Sequence, residues 1–114
     1  MIKEFVPYEQ ALALKELGFK QDCFGYWNID PYLPKPPLNL TKPFDHEWCL
    51  PAPLYQQTFR WFREKYNAVV IIQPQIVEYY AKILIDNKVV YSTIQTYEEA
   101  ELECIKKLIK IIYK

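Results

Sequence analysis

The chain has 114 residues and 51% of them are hydrophobic, which predicts one domain, residues 1–114, with a single modest core. The formal net charge is zero, which argues against a general nucleic-acid binder, because neutralising phosphates requires surplus Lys and Arg. No apolar run approaches the roughly 20 residues that span a bilayer. Glu4 and Glu9 also interrupt the region where a secretory signal would be apolar, so we expect a cytoplasmic protein with no membrane partner.

The first half of the chain predicts a helix, a strand and a long loop. The helix is "PYEQALALKELGF", with Pro7 in its first turn and Gly18 at the left-handed position that ends it. The ring-rich stretch 23–29 indicates a strand. Residues 30–53 contain seven prolines, too many for a helix or a central strand. Because this segment also contains rings and leucines, we expect an ordered Pro-rich loop.

The second half predicts a helix over 53–66, three strands and a final helix. The apolar run "AVVIIQP" is typical of a strand covered on both faces. A hairpin follows, with its turn at "DNK". Its first strand alternates two sets of side chains, which are Tyr79, Ala81, Ile83, Ile85 and, on the other face, Glu78, Tyr80, Lys82, Leu84. Thr96 and Glu99 have the capping-box spacing at the start of the last helix. This order predicts an α+β fold, with three helices packed on a mainly antiparallel sheet of about four strands.

The helix "PLYQQTFRWFREKY" combines a core stripe with two edges that could bind a partner. At about 100° per residue, the stripe consists of Tyr55, Phe59, Phe62, Tyr66. A cationic edge and an aromatic edge flank the stripe, and the Pro-rich loop adds further rings. The candidate binding residues are Gln56, Arg60, Arg63, Trp61, Trp48, Tyr32. The alternative is a solvated arginine flank beside Glu64, with Trp61 packed under the Pro-rich loop.

Side chains suited to catalysis or metal binding are sparse. Zinc could accept His46, Cys49, Cys23 and Cys104, but the closely spaced ligand pairs of structural zinc sites are missing. Cys49 and His46 also lack the glycine-rich turn and oxyanion device that would accompany cysteine catalysis. No HExxH, GxSxG or phosphate-cradling motif occurs. We therefore expect no catalytic residues, no metal and no cofactor.

Three segments carry a resemblance to a known family: "EFVPYEQALALKELGF", "CLPAPLYQQTFRWFREKY" and "TYEEAELECIKKLIKII". They resemble a family of short uncharacterised proteins encoded by phages and mobile elements of gut bacteria, and they cover about half of the chain. The resemblance implies a setting, which is a small accessory gene product in the cytoplasm of a phage-infected host cell. It implies no activity and no site, and residues 28–47 are where we expect the chain to differ from its relatives.

Two functions lead on these observations, ahead of a single-strand nucleic-acid binder that would stack bases on rings, which the zero net charge disfavours. The first is a non-enzymatic phage accessory protein that acts by protein–protein binding, against a host factor or as a homodimer, which the surplus of Tyr and Trp favours. The alternative is a small-molecule binder that sequesters a nucleotide signal used in host immunity, with rings and arginines as its contacts. For the homodimer, the last helix has an apolar arc wider than one sheet face needs. Ala100, Cys104 and Ile111 lie on the side of that arc nearest a second subunit.

Overall fold

The computed structural model describes residues 4–21, 23–28, 38–39 and 49–113. The chain divides into two compact units, the N-terminal unit Met1–Leu54 and the C-terminal unit Tyr55–Lys114. The predicted α+β fold with three helices is confirmed. The described strands form two antiparallel three-stranded sheets, where one sheet of about four strands was expected. None of the described helices is long and apolar enough to cross a bilayer. The single domain stays a prediction.

The N-terminal unit begins with helix α1, Tyr8–Glu16, which ends as the sequence predicts. Gly18 has φ 105°, the left-handed conformation that a residue without a Cβ adopts without strain. The Gly18 amide donates to the carbonyl of Lys15, and the Phe19 amide donates to that of Leu14. This pair of bonds is a Schellman motif, which satisfies carbonyls that the helix end leaves open.

A small antiparallel sheet completes the N-terminal unit. Its strands are β1, Gly25–Asn28; β2, Leu38–Asn39; and β3, Cys49–Ala52, in the order β2-β1-β3. β2 and β3 lie inside the predicted Pro-rich loop, so part of that segment is strand; residues 29–37 and 40–48 lie outside the described part. Pro51 is tolerated in β3 because an edge strand can lack one donor. The indole nitrogen of Trp27 donates to the carbonyl of Val6 over 3.1 Å.

The C-terminal unit consists of helix α2, Tyr55–Tyr66, a three-stranded meander and helix α3, Tyr97–Ile112. The strands are β4, Val69–Pro74; β5, Tyr79–Ile85; and β6, Lys88–Ile94, with β5 in the centre. Asp86 and Asn87 connect β5 to β6, and both have positive φ (50° and 61°). Positive φ at both central positions is what a two-residue type I′ hairpin requires, so the predicted turn is confirmed.

Helix α3 covers one face of this sheet. Ala81, Ile83 and Ile85 point to that face and are buried, as their alternation predicts. Lys107 of α3 donates to the hydroxyl of Ser92, which the register places beside Ala81. The capping box is also confirmed, because the Thr96 hydroxyl accepts a hydrogen bond from the Glu99 amide over 3.1 Å. β4 differs from its prediction: it is an edge strand with half of its residues exposed, so it is not covered on both faces.

The buried side of α2 overlaps only in part with the predicted stripe, and α3 buries part of its predicted apolar arc together with Glu101. In α2 the buried residues are Tyr55, Thr58, Trp61, Phe62. Phe59 and Tyr66 of the predicted stripe are only half-buried. The helix is rotated toward Trp61, because burying an indole removes the largest apolar surface that α2 carries. In α3 the buried residues are Ala100, Glu101, Cys104, Ile105, Leu108. Ala100 and Cys104, expected nearest a second subunit, are therefore already covered within one chain.

Candidate functional site

A cleft of about 470 Å³ lies in the C-terminal unit between helix α2 and the edge strand β4, with the first residue of α3 contributing to its wall. It forms because α3 covers the centre of the sheet and α2 lies over the edge strand, which leaves a gap beside the half-buried ring of Phe59. The lining residues are Gln56, Phe59, Arg60, Arg63, Ala68, Val69, Val70, Ile72, Tyr97. A volume of this size is within the usual range for sites that bind small molecules.

The chain contains two arginines, Arg60 and Arg63, and both line this cleft. They are three residues apart on α2, so they are neighbours on the helix surface. The Nε of Arg60 donates to Oε1 of Glu64 over 2.8 Å in an exposed pair. Arg63 forms no ion pair with any residue that the structure describes. Its guanidinium therefore offers its donors to solvent or to a ligand.

An amide and a phenol mark the Tyr97 end of the cleft. The side chain of Gln56 is hydrogen-bonded to the hydroxyl of Tyr97, which ties the start of α2 to the start of α3. The Tyr97 ring also packs edge-on against Tyr79, with 5.7 Å between the ring centroids. Burial, and after it the nearby charge of Glu101, raises the pKa of Tyr97, so its hydroxyl stays protonated at neutral pH and can donate.

Glu101, one helical turn after Tyr97 in α3, is a buried carboxyl. Its side chain is 8% exposed, on the face of α3 that also buries Cys104 and Ile105. Burial raises its pKa to about 7, and repulsion from Glu98 adds to that rise. The charge of Glu101 in turn contributes, after burial, to a Tyr55 pKa raised to about 12. The interior of the C-terminal unit therefore holds an acid that titrates near neutral pH.

Three of the six predicted binding residues come together and the other three do not join them. Gln56, Arg60 and Arg63 line the cleft. Trp61 lies on another side of α2, is 6% exposed and packs against Phe62 and Tyr66. The Nζ of Lys65 lies 4.9 Å from its ring centroid. Trp61 is therefore a core residue with a cation beside it. Tyr32 and Trp48 lie outside the described residues.

A second surface of the C-terminal unit is the sheet face opposite α3, here called the open face. The strand register places on it Val69, Ile71, Gln73, Tyr80, Lys82, Leu84, Val89, Tyr91, Thr93. Tyr91 is 54% exposed and Val89 is 43% exposed. The rings of Tyr80 and Tyr91 lie side by side with centroids 5.5 Å apart, and Lys82 reaches to 5.9 Å from the Tyr91 ring. Apolar and aromatic side chains thus face solvent in a contiguous layer.

The connection from β4 to β5 adds two aliphatic side chains at one end of the sheet. Ile76 is fully exposed, at 103% of its reference area, and Val77 is 86% exposed. The Gln75 amide donates to the carbonyl of Glu78 over 2.7 Å and closes the loop, so the two side chains sit at its tip. Branched aliphatic side chains in water stabilise nothing in the free chain, and adjacent exposed ones are typical of contact sites.

The candidate metal ligands are not brought together in the described part of the chain. His46 lies outside that part, so the set that depends on it is untested. Among the described residues no three His, Cys, Asp or Glu side chains are grouped where they could hold a metal ion. Cys104 is buried, and that burial raises the pKa of its thiol to about 11, so it is not an activated nucleophile.

Comparison with family models, with curated proteins and with solved structures gave no match. The geometry of the cleft and the open face is therefore what supports a function.

Several residues of these surfaces were missed from the sequence. The sequence alone indicates no role for Tyr97, because its partner Gln56 is distant in sequence and no local pattern joins them. Glu101 follows the acidic residues Glu98 and Glu99 near the start of α3, so its charge alone indicates an exposed position. Its spacing to Cys104, Ile105 and Leu108 places it on the buried face, which is a signal that the sequence does contain.

Proposed function

We propose that this protein acts by binding another protein, without catalysis, and that the open face and the loop tip at Ile76 and Val77 form its contact surface. The observation that carries the proposal is the exposed layer of apolar and aromatic side chains around Tyr91. Exposed apolar layers of this kind are costly to leave in water and mark interaction sites. Tyrosine is among the residues that dominate the binding energy of protein interfaces.

The charge of the open face indicates the chemistry of the partner. Lys82 is its cation, and no acidic side chain shares the face among the described strand residues. A matching surface would be apolar, with a carboxylate placed to meet Lys82 at its centre, since complementary charges fix register and suppress wrong partners. The family resemblance suggests a setting for this partner, a host factor in the cytoplasm of a phage-infected cell.

The test compares recovery of partners by wild type with recovery by three variants. Tyr91→Lys changes the open face, Ile76→Ser changes the tip, and Lys106→Ser is the control, an exposed change on α3. We expect a partner protein to co-purify with wild type and with Lys106→Ser but not with Tyr91→Lys. That partner, once purified, should bind purified wild type again. Near-native melting curves would show that each variant is folded.

Two other occupants of the open face are outcomes of the same experiment. Light scattering that finds a dimer of wild type and a monomer of Tyr91→Lys would assign the face to a second copy of the chain. Sedimentation with lipid vesicles that depends on Ile76 would assign the tip to a membrane surface. A partner that is retained equally by wild type and by Tyr91→Lys would refute the open face as the contact surface.

A further inference from the structure

The cleft between α2 and β4 has a chemical character distinct from the open face. Its rim is cationic and hydrogen-bonding, through Arg60, Arg63 and the Gln56–Tyr97 pair. Its floor is apolar, with Val70 and Ile72 of β4 half-buried in it. A site with an apolar floor and a few convergent polar groups is the usual form of a small-molecule site.

The rim favours an anion. Arginine matches phosphate in geometry, because its planar fork presents paired donors to two oxygens. Arg63 has no ion pair among the described residues, and Arg60 is held only by the exposed Glu64, a contact that an incoming phosphate can replace. Two guanidinium groups on neighbouring positions of one helix can hold one phosphate between them.

The rest of the lining favours a flat ring attached to that anion. Phe59 and Tyr97 supply aromatic rings, and the Tyr97 hydroxyl and the Gln56 amide supply donors and acceptors for ring edges. A bare phosphate would leave the apolar floor wet, and a volume of about 470 Å³ is larger than it needs. A nucleic-acid strand is disfavoured, because tracking a backbone needs many cations and the chain has zero net charge.

We propose that this cleft binds a nucleotide, with its phosphate on Arg63 and Arg60 and its base against the apolar floor between Phe59 and Tyr97. The phosphate contributes charge-assisted hydrogen bonds and the base contributes stacking and burial. The cleft shares only Val69 with the open face, and the proposed phosphate and base contacts lie on other residues, so either proposal can fail without the other.

Calorimetric titration of the full chain with three probes tests the assignment: adenosine monophosphate, adenosine and inorganic phosphate. The titrations are run at low salt, since exposed arginines are screened at higher ionic strength. We expect the nucleotide to bind at least about ten-fold more tightly than either fragment, because neither fragment uses both halves of the cleft. Equal affinity for phosphate and nucleotide would overturn the assignment of the base, and no heat with any probe up to about 1 mM would overturn the site.

Two variants, each with a matched control, should change nucleotide affinity in opposite directions. Arg63→Gln should weaken nucleotide binding by about ten-fold. Lys110→Gln, which makes the same charge change at an exposed position of α3, should leave the affinity unchanged. Glu64→Gln should tighten binding by a few-fold, because it releases Arg60 from its ion pair. The matched control is Glu103→Gln, the same substitution on α3 beside β6, which is the opposite edge of the sheet from the cleft.

Circular dichroism and melting curves check that these surface variants are folded. If Arg63→Gln and Lys110→Gln bind the nucleotide equally, or if Glu64→Gln and Glu103→Gln tighten nucleotide binding equally, the effect is one of overall charge and the cleft is not the site.

Discussion

The buried carboxyl of Glu101 makes stability depend on pH in a way that one substitution should remove. The ordinary pKa of this carboxyl is 4.5 and its pKa in the folded chain is about 7, with burial as the main cause and Glu98 as the second. Below the ordinary value both folded and unfolded chains hold the proton, so Glu101 carries no penalty there. Between the two values only the folded chain keeps it, and stability falls as pH rises.

The magnitude follows from the size of the shift. One pKa unit corresponds to about 1.36 kcal/mol, so the penalty reaches up to about 3 kcal/mol once the pH exceeds the folded pKa. Glu101→Gln is nearly isosteric and cannot ionise. Its free energy of unfolding, relative to wild type, should therefore rise by up to this amount between about pH 4.5 and pH 7.

Urea denaturation of both proteins across this pH range measures the difference, and any pH-independent effect of the amide cancels in it. Glu98→Gln is a second variant, because it removes the repulsion while Glu101 stays buried. The fall in stability with pH should then be smaller than in wild type. If the wild type and Glu101→Gln profiles run parallel from pH 4.5 to pH 7, Glu101 is ionised and solvated in the folded chain and the reasoning is refuted.

Three further predictions concern stability and are measured by chemical denaturation. Phe62→Ala should cost about 3–5 kcal/mol of stability because Phe62 is fully buried, and Phe59→Ala should cost clearly less because Phe59 borders the cleft. Equal costs would mean that the rotation of α2 described above is wrong. Thr96→Ala should cost about 1 kcal/mol by removing the cap of α3, and Thr96→Ser should restore most of it. Gly18→Ala should cost about 1 kcal/mol or more at its positive φ, while a neutral effect would mean that the end of α1 relaxes at no cost.

Elements with a strong local signal were predictable. The hairpin followed from side-chain alternation and from residues that accept positive φ at the turn. The start of α3 followed from Thr96 and Glu99, and the end of α1 from Gly18. In each case the determining interaction lies within a few residues of the signal, so the sequence alone contains it.

What the sequence could not supply depends on contacts between distant segments. The rotation of α2 depends on the tertiary surfaces that pack against it. A helical wheel places Phe59 on the core stripe and Trp61 on the flank, whereas the fold buries Trp61 and leaves Phe59 half-buried. The strands inside the Pro-rich segment were missed because Pro51 argued against any strand, while an edge position admits it. Helical spacing groups Gln56, Arg60 and Arg63 on one edge of α2, but the cleft beside them, with its floor on β4 and its wall at Tyr97, required the tertiary fold.

The placement of both arginines on one side of α2 makes them a selective chemical handle. Dicarbonyl reagents that modify guanidinium groups and spare lysines would label this chain at Arg60 and Arg63, beside the cleft, and at no other residue of the sequence. Arg63, which has no ion pair among the described residues, should react before Arg60, which is held by Glu64. Protection of these two arginines from the reagent therefore reports on the occupancy of this one surface, without any introduced label.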